Sequence, residues 1–138
     1  MTATMTRHTY GFGTTLAVPF EEAIERAKVA LKEEGFGVLS EIDVQATLRA
    51  KIGVDFERYT ILGACNPQLA HRALQAEHEL GPLLPCNVVV HDHNGGSAVS
   101  IVDPDAMLGV VESEALREVA REAKARLERV VARLAAAE

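Results

Sequence analysis

Apolar residues first recur at every second position and then change to a helical spacing. The alternation from Tyr10 to Val18 predicts a strand. Pro19 follows, which suits the first turn of a helix because the missing N–H costs nothing there. Apolar side chains from Phe20 to Leu31 then recur at helical spacing, and Gly35 ends the predicted helix.

The middle of the chain predicts two strands, each followed by a helix. Phe36 to Val44 has strand character, and Gln45 to Ile52 has the composition of a short helix. Phe56 to Cys65 is rich in residues that favour strands. The pair Asn66-Pro67 then predicts a helix start, since Asn is a good cap and Pro a good first residue. We expect this helix to run about three turns, until Gly81-Pro82 closes it.

The last third of the chain predicts a hairpin and a long helix. Leu83 to His91 is the most apolar strand, and Asn94-Gly95-Gly96 is a turn signal typical of hairpins. Ser97 to Val102 is expected to return antiparallel, with Asp103-Pro104-Asp105 as its terminator. A helix with one continuous apolar stripe follows from Ser113, which is a natural cap.

This order of elements predicts a two-layer α+β fold, with a mainly antiparallel sheet and helices on one face. The 138 residues fit a single domain, with a core over about residues 10–134 and a loosely ordered segment at 1–8. The hydrophobic share of 48% and the charged share of 25% are ordinary for a folded domain, so composition adds no constraint to this picture.

Charge and hydropathy narrow the classes of partner. The net charge of −6 argues against a surface that follows a phosphate backbone, so we predict no nucleic-acid partner. No run approaches the about 20 apolar residues that span a bilayer, and the polar N-terminus is not a secretory signal. We therefore expect a cytoplasmic protein without a membrane partner, in which the two cysteines are free thiols.

Two short tags contain the two cysteines, and each cysteine is followed by an asparagine. The first tag is Gly63-Ala64-Cys65-Asn66-Pro67, and the second is Leu84-Pro85-Cys86-Asn87-Val88. Each lies where an apolar run meets a turn residue. No catalytic or nucleic-acid motif elsewhere in the sequence is as specific.

These tags and their surroundings resemble an uncharacterised, mostly prokaryotic family known as domain of unknown function 302. The matching residues are Gly35-Phe36, Tyr59 to Pro67, Leu83 to Val90, Asp103-Pro104 and Met107, within a resemblance that spans about Tyr10 to Leu134. The resemblance implies an architecture similar to that of the TATA-binding protein: a strand, a helix, antiparallel strands and a long C-terminal helix. It implies no activity and no DNA binding, because fold does not fix function.

The thiols leave three interpretations open. Cys65 and Cys86 can be small, inert packing residues, as free cysteines usually are. Alternatively, the helix start after Cys65 lowers the pKa of its thiol, and a neighbouring Cys86 allows a reversible disulfide, a persulfide or a soft-metal site. The third interpretation is a small-ligand pocket lined by both tags, with Asn66 and Asn87 as polar anchors.

The histidines give a weaker candidate site. His91 and His93 lie two apart on a predicted strand and share a face, which is a geometry that suits a metal. Cys86 points to the other face together with Val88 and Val90, so it cannot join them. Both histidines also flank a hairpin tip, where polar residues meet water. We therefore predict a solvated hairpin, and neither a metal nor a cofactor is predicted for the chain.

The sheet itself suggests a partner. Several strands are apolar on both faces, whereas two helices cover one face of an open sheet. We expect a homodimer through the uncovered face.

Two functions follow as hypotheses. The first is a dimeric domain that binds a small ligand near Cys65, Asn66, Cys86 and Asn87. The alternative is a thiol-based redox or sulfur-handling enzyme, with Cys65 as nucleophile and Cys86 as resolving partner.

Overall fold

The computed structural model of the chain describes residues 5–136. The strands are β1 (Thr6–Arg7), β2 (Gly11–Leu16), β3 (Gly37–Asp43), β4 (Tyr59–Cys65), β5 (Cys86–His93) and β6 (Gly96–Val102). The helices are α1 (Phe20–Glu33), α2 (Val44–Ile52), α3 (Pro67–Ala76), α4 (Pro104–Leu108) and α5 (Glu114–Ala136), with a 3₁₀ helix at His78–Leu83 between α3 and β5.

The described strands form one antiparallel sheet in the order β1-β2-β6-β5-β4-β3. One row of residues across its centre joins Phe12, Ile101, Val88 and Leu62, which pair in register and are all buried. Because side chains alternate between the faces of a strand, this row marks the face that α1 and α5 cover. The two-layer α+β fold with a mainly antiparallel sheet is confirmed.

Two apolar cores lie beside each other. The larger core fills the space between the sheet, α1 and α5, with residues such as Leu31, Val90 and Leu127. The smaller core joins α3, α4, α5 and the 3₁₀ helix, and its members include Leu69 and Leu116. Helix α5 contributes to both, so its long apolar stripe connects the sheet to the smaller helical cluster.

The long helix α5 begins directly after Ser113, which was predicted to be its cap. The N–H of Leu116 donates to the hydroxyl of Ser113 at 3.2 Å. The predicted strand terminator at Asp103 is confirmed, since β6 ends at Val102, and the same residue also begins a helix. Its carboxylate accepts from the N–H of Asp105 at 2.9 Å, and Pro104 occupies the first position of α4. The expected end of α3 at Gly81 was wrong, since α3 stops at Ala76 and the 3₁₀ helix follows, but its 10 residues agree with the expected length of about three turns.

The N-terminal segment forms more structure than the sequence indicates. Residues 1–4, part of the segment expected to be loosely ordered, lie outside the described residues. Thr6 and Arg7 pair with β2 as an edge strand, and the guanidinium of Arg7 donates to the carboxylate of Glu128 at 2.7 Å. Among residues 5–136, no helix has both the length and the apolar character that crossing a membrane requires.

Candidate functional site

A cavity of about 420 Å³ lies where the ends of β3, β4 and β5 meet α3, α4 and α5. It separates the larger core from the smaller one. Among the described residues that line it, Ser40 and Asn66 are the only polar ones and none is charged. Cys65 and Cys86 both line its wall, so the structure brings the two cysteine tags together at one place.

Helix α3 is joined to this wall by its cap. The side-chain oxygen of Asn66 accepts a hydrogen bond from the N–H of Leu69 at 3.1 Å, and Pro67 is the first residue of the helix. Gly35 lies against this asparagine with φ of +84°, and a Cβ there would come within 2.8 Å of the Asn66 amide nitrogen. Gly35 is therefore needed both for its left-handed backbone and for the close approach of Asn66.

The second tag is placed by strand pairing. In the antiparallel pair of β4 and β5, Cys86 lies opposite Ala64, which is the residue that precedes Cys65. A Cβ on Gly63 would collide with the hydroxyl of Ser40 and come within 3.0 Å of the Pro85 ring. Because Gly63 of the first tag has no side chain, Pro85 of the second tag can pack close to the backbone near the end of β4.

The far wall comes from helices that pack through small residues. Ala70 and Ala73 on α3 and Ala123 on α5 line the cavity and leave space that longer side chains would fill. Met107 on α4 adds a third sulfur atom to the lining. Sequence reasoning missed this position, because α4 was not predicted, although Met107 was among the residues that carried the family resemblance.

The electrostatics of the site keep both thiols protonated at neutral pH. Burial raises the pKa of Cys65. Burial first, and then the negative charge that Cys65 would carry, raise the pKa of Cys86 to about 11. The prediction of a lowered pKa at Cys65 was therefore wrong. At the start of α3, the N–H of Leu69 is used by the cap of Asn66.

Asn87 does not join the other predicted site residues. It follows Cys86 on β5 and therefore points to the opposite face of the sheet. There it lines a separate hollow of about 340 Å³, together with Tyr59 and His91. The expectation that both asparagines anchor one ligand is corrected for this reason, since strand alternation sends only Cys86 toward the cavity.

The two histidines form a hairpin surface. The Nδ1 atom of His91 lies 2.7 Å from the carbonyl oxygen of Asp92, and its ring stacks on Tyr59 at 5.4 Å. The Nε2 atom of His93 lies 3.3 Å from the amide nitrogen of Asn94. Within residues 5–136, no three His, Cys, Asp or Glu side chains are arranged to hold a metal. Cys86 faces the larger core, away from both histidines.

Comparisons with known proteins agree with the family resemblance and with the fold. A family model described as "Domain of unknown function DUF302" matches residues 12–134, which include both tags. The crystal structure of an uncharacterized conserved DUF302 protein from Bacillus stearothermophilus is 35% identical, with a TM-score of 0.83. The match covers 90% of this chain and 97% of that chain. A search of curated proteins finds no match.

Proposed function

The chain belongs to the DUF302 family, a domain of unknown function, and on that premise we propose that it is a small-ligand-binding domain. The ligand occupies the cavity beside Cys65 and Cys86. A single observation carries this proposal: one cavity of about 420 Å³ lies between two cores, and its lining is apolar apart from Ser40 and Asn66. Ligand pockets of proteins are typically concave and mostly apolar, with few polar groups.

The lining selects the class of ligand. A charged molecule would lose its hydration without gaining an ion pair, because no charged side chain lines the cavity. An uncharged, largely apolar molecule would gain about 25 cal/mol for each Å² of apolar surface removed from water. Two neutral thiols add polarisable contacts to the wall without adding charge.

The thiol-enzyme hypothesis receives less support from the same site. A cysteine nucleophile needs an accessible thiolate near neutral pH. Burial raises the pKa of both Cys65 and Cys86, and the cavity offers no charged residue to reverse that effect. We therefore assign the thiols to the wall of a binding site. Because both cysteines are free, we also propose a location in the reducing cytoplasm, where free thiols persist.

An apolar fluorescent dye tests the proposal. The purified chain should bind the uncharged dye N-phenyl-1-naphthylamine in the cavity, and Ala70→Phe should weaken binding about tenfold or more by filling it. Ala46→Phe on α2 is the matched control, since Ala46 is exposed and lies outside the cavity. Equal dye affinity in the two variants, with both folded, would overturn the assignment.

We further propose that the protein is a homodimer through the sheet face that α1 and α5 leave uncovered. Ile42, Ile61 and Val89 lie in one register row on three adjacent strands and point to this face. Ile42 is 49% exposed, and Phe56 beside Tyr59 is 41% exposed. A contiguous apolar surface of this kind is typical of an interface.

Charge supports a second copy as the partner. By strand alternation, the uncovered faces of β2, β6, β5 and β4, all within residues 5–136, hold no Asp, Glu, Lys or Arg. They are formed by Gly11, Gly13, Thr15, Gly96, Ala98, Ser100, Val102, Asn87, Val89, His91, His93, Tyr59, Ile61, Gly63 and Cys65. Two copies with a net charge of −6 each repel one another over charged surfaces. Contact through this uncharged face avoids that cost and satisfies two-fold symmetry.

A further inference from the structure

The cavity is lined from both faces of the sheet. Ala64 and Cys86 belong to the face that α1 and α5 cover, since both pack in the larger core, and both line the cavity. Cys65 also lines the cavity, although strand alternation turns its side chain to the uncovered face. Because β4 ends at Cys65 and β5 begins at Cys86, the cavity reaches the uncovered face beside these strand ends.

Two more residues of the lining belong to the uncovered side. The Cβ position of Gly63, which points to that face, lies against the hydroxyl of Ser40 and the ring of Pro85. Glu41, the residue after Ser40, forms an ion pair with Lys28 on α1 and therefore points to the covered face. Strand alternation then directs Ser40 to the uncovered face, in agreement with its contact at Gly63.

This part of the wall is open to solvent in the single chain. Leu39 lies at the register shift of β3, lines the cavity and is 72% exposed. Its neighbour Ser40 is exposed as well, and Cys65 and Pro85 are half-buried. These four residues define an opening of the cavity. An apolar ligand bound behind it would leave part of its own surface, and the Leu39 side chain, in contact with water.

An interface on the uncovered face extends to this opening. Its central row is Ile42, Ile61 and Val89, and the next row on the same face joins Ser40 and Gly63. Successive residues on one face of a strand lie about 7 Å apart. A standard interface buries about 800 Å² on each partner, which is the area of a disc about 16 Å in radius. An interface of that size centred on Ile61 therefore covers the opening.

We propose that a second copy of the chain closes the opening, so that ligand binding and dimerisation are coupled. This inference rests on the proposed function, because it requires both the ligand cavity and the dimer. Closure removes Leu39 and the outer surface of the ligand from water, which favours a ligand-bound dimer. The coupling is reciprocal, so the ligand strengthens the dimer by the same factor by which the dimer strengthens ligand binding.

The experiment compares the affinity of dimeric and monomeric protein for N-phenyl-1-naphthylamine by fluorescence titration. Val89→Glu and Ile42→Glu each place a carboxylate in the central row and should separate the copies. Neither residue lines the cavity, and Val29→Glu on α1 is the matched control. Covering about 55 Å² of additional apolar surface gives about a tenfold gain in affinity. We therefore expect the monomeric variants to bind the dye about tenfold more weakly than Val29→Glu.

Labelling of Cys65 measures closure without a ligand. N-ethylmaleimide, followed by peptide mass spectrometry, should modify Cys65 faster in Val89→Glu than in Val29→Glu, because Cys65 lies at the opening. Circular dichroism shows that each variant is folded. Equal dye affinity or equal labelling in the monomeric and dimeric proteins would overturn the closure and leave the cavity and the dimer standing. A monomeric wild type would overturn the closure together with the dimer, and a lack of dye binding would overturn it together with the cavity.

Discussion

The side-chain oxygen of Asn66 accepts the backbone N–H of Leu69 at 3.1 Å and thereby joins the end of β4 to the start of α3. Asn66 is only 8% exposed, so this hydrogen bond forms away from bulk water. It follows Cys65 directly and precedes the helix that supplies Leu69, Ala70 and Ala73 to the cavity. One capping residue therefore positions a thiol and the opposite wall of the same site.

Loss of this cap should destabilise the protein. Asn66→Ala leaves the N–H of Leu69 without its acceptor, and removal of a cap costs about 1 kcal/mol or more. Asn66→Ser keeps a capping oxygen and should retain most of the stability. Urea denaturation measures both free energies of unfolding. Equal losses in the two variants would contradict the assignment of the cap as the stabilising element.

The sequence predicts this junction because its signals are local. Asn before Pro indicates a helix start within two residues, and the structure confirms it. The same reasoning could not separate Asn66 from Asn87, since both follow a cysteine. The two asparagines differ in where they stand relative to their strands. Asn66 follows the end of β4, whereas β5 continues past Asn87, so strand alternation turns the Asn87 side chain to the other face of the sheet.

The raised pKa of the Cys86 thiol should appear in the pH dependence of stability. Burial raises this pKa from 9.0 to about 11, with a smaller effect from Cys65. Above pH 9 the unfolded chain loses the thiol proton while the folded chain keeps it. The free energy of unfolding should therefore fall by about 2–3 kcal/mol between pH 9 and 11 because of this group.

Denaturation of the wild type and of Cys86→Ala at several pH values measures this contribution. Other groups titrate in the same range, and the difference between the two proteins cancels them. The slope attributed to the thiol should disappear in Cys86→Ala. Alkylation with iodoacetamide gives a second measurement, in which neither thiol should show a transition below about pH 8.5. A transition near neutral pH would revive the thiol-enzyme hypothesis.

A buried carboxylate at the end of α1 should contribute to the acid side of the stability profile. Glu34 has a side chain 6% exposed and accepts hydrogen bonds from Arg129 at 2.9 Å and Arg133 at 3.0 Å. Burial alone would raise its pKa, but the two arginines outweigh burial and lower it from 4.5. The stability that this group adds is present above pH 4.5 and is lost as the pH falls through the lowered value.

Glu34→Ala should cost about 1–3 kcal/mol at neutral pH, because the two half-exposed arginines lose a charged acceptor. The adjacent Glu33→Ala is the matched control. Glu33 also pairs with Arg133, but its side chain is 51% exposed, so its loss should change the free energy by less than about 1 kcal/mol. Equal effects from both variants in urea denaturation would contradict the importance of burial here.

Contacts of this kind mark the limit of what the sequence indicates. Glu34 and Arg133 lie 99 residues apart, and no local pattern links them. The cavity has the same origin, since it is the space between two cores, and only the packing of α5 against the sheet and α3 defines it. Periodicity predicts which residues of a helix are buried, as it did for the apolar stripe of α5, but it does not predict where two buried surfaces fail to meet.

The proposed dimer gives the last prediction. The wild type should have the mass of two 14.9 kDa chains in static light scattering at micromolar concentration. Val89→Glu places a carboxylate at the centre of the uncharged face and, by symmetry, near its copy across the two-fold axis. Burial of two unpaired charges is costly, so this variant should be a folded monomer. Val29→Glu on α1 is the control, because Val29 is 59% exposed and lies on the opposite side of the molecule. A wild type that is monomeric at micromolar concentration would refute the proposed interface. Dissociation in Val89→Glu but not in Val29→Glu would locate the interface on the uncovered face of the sheet.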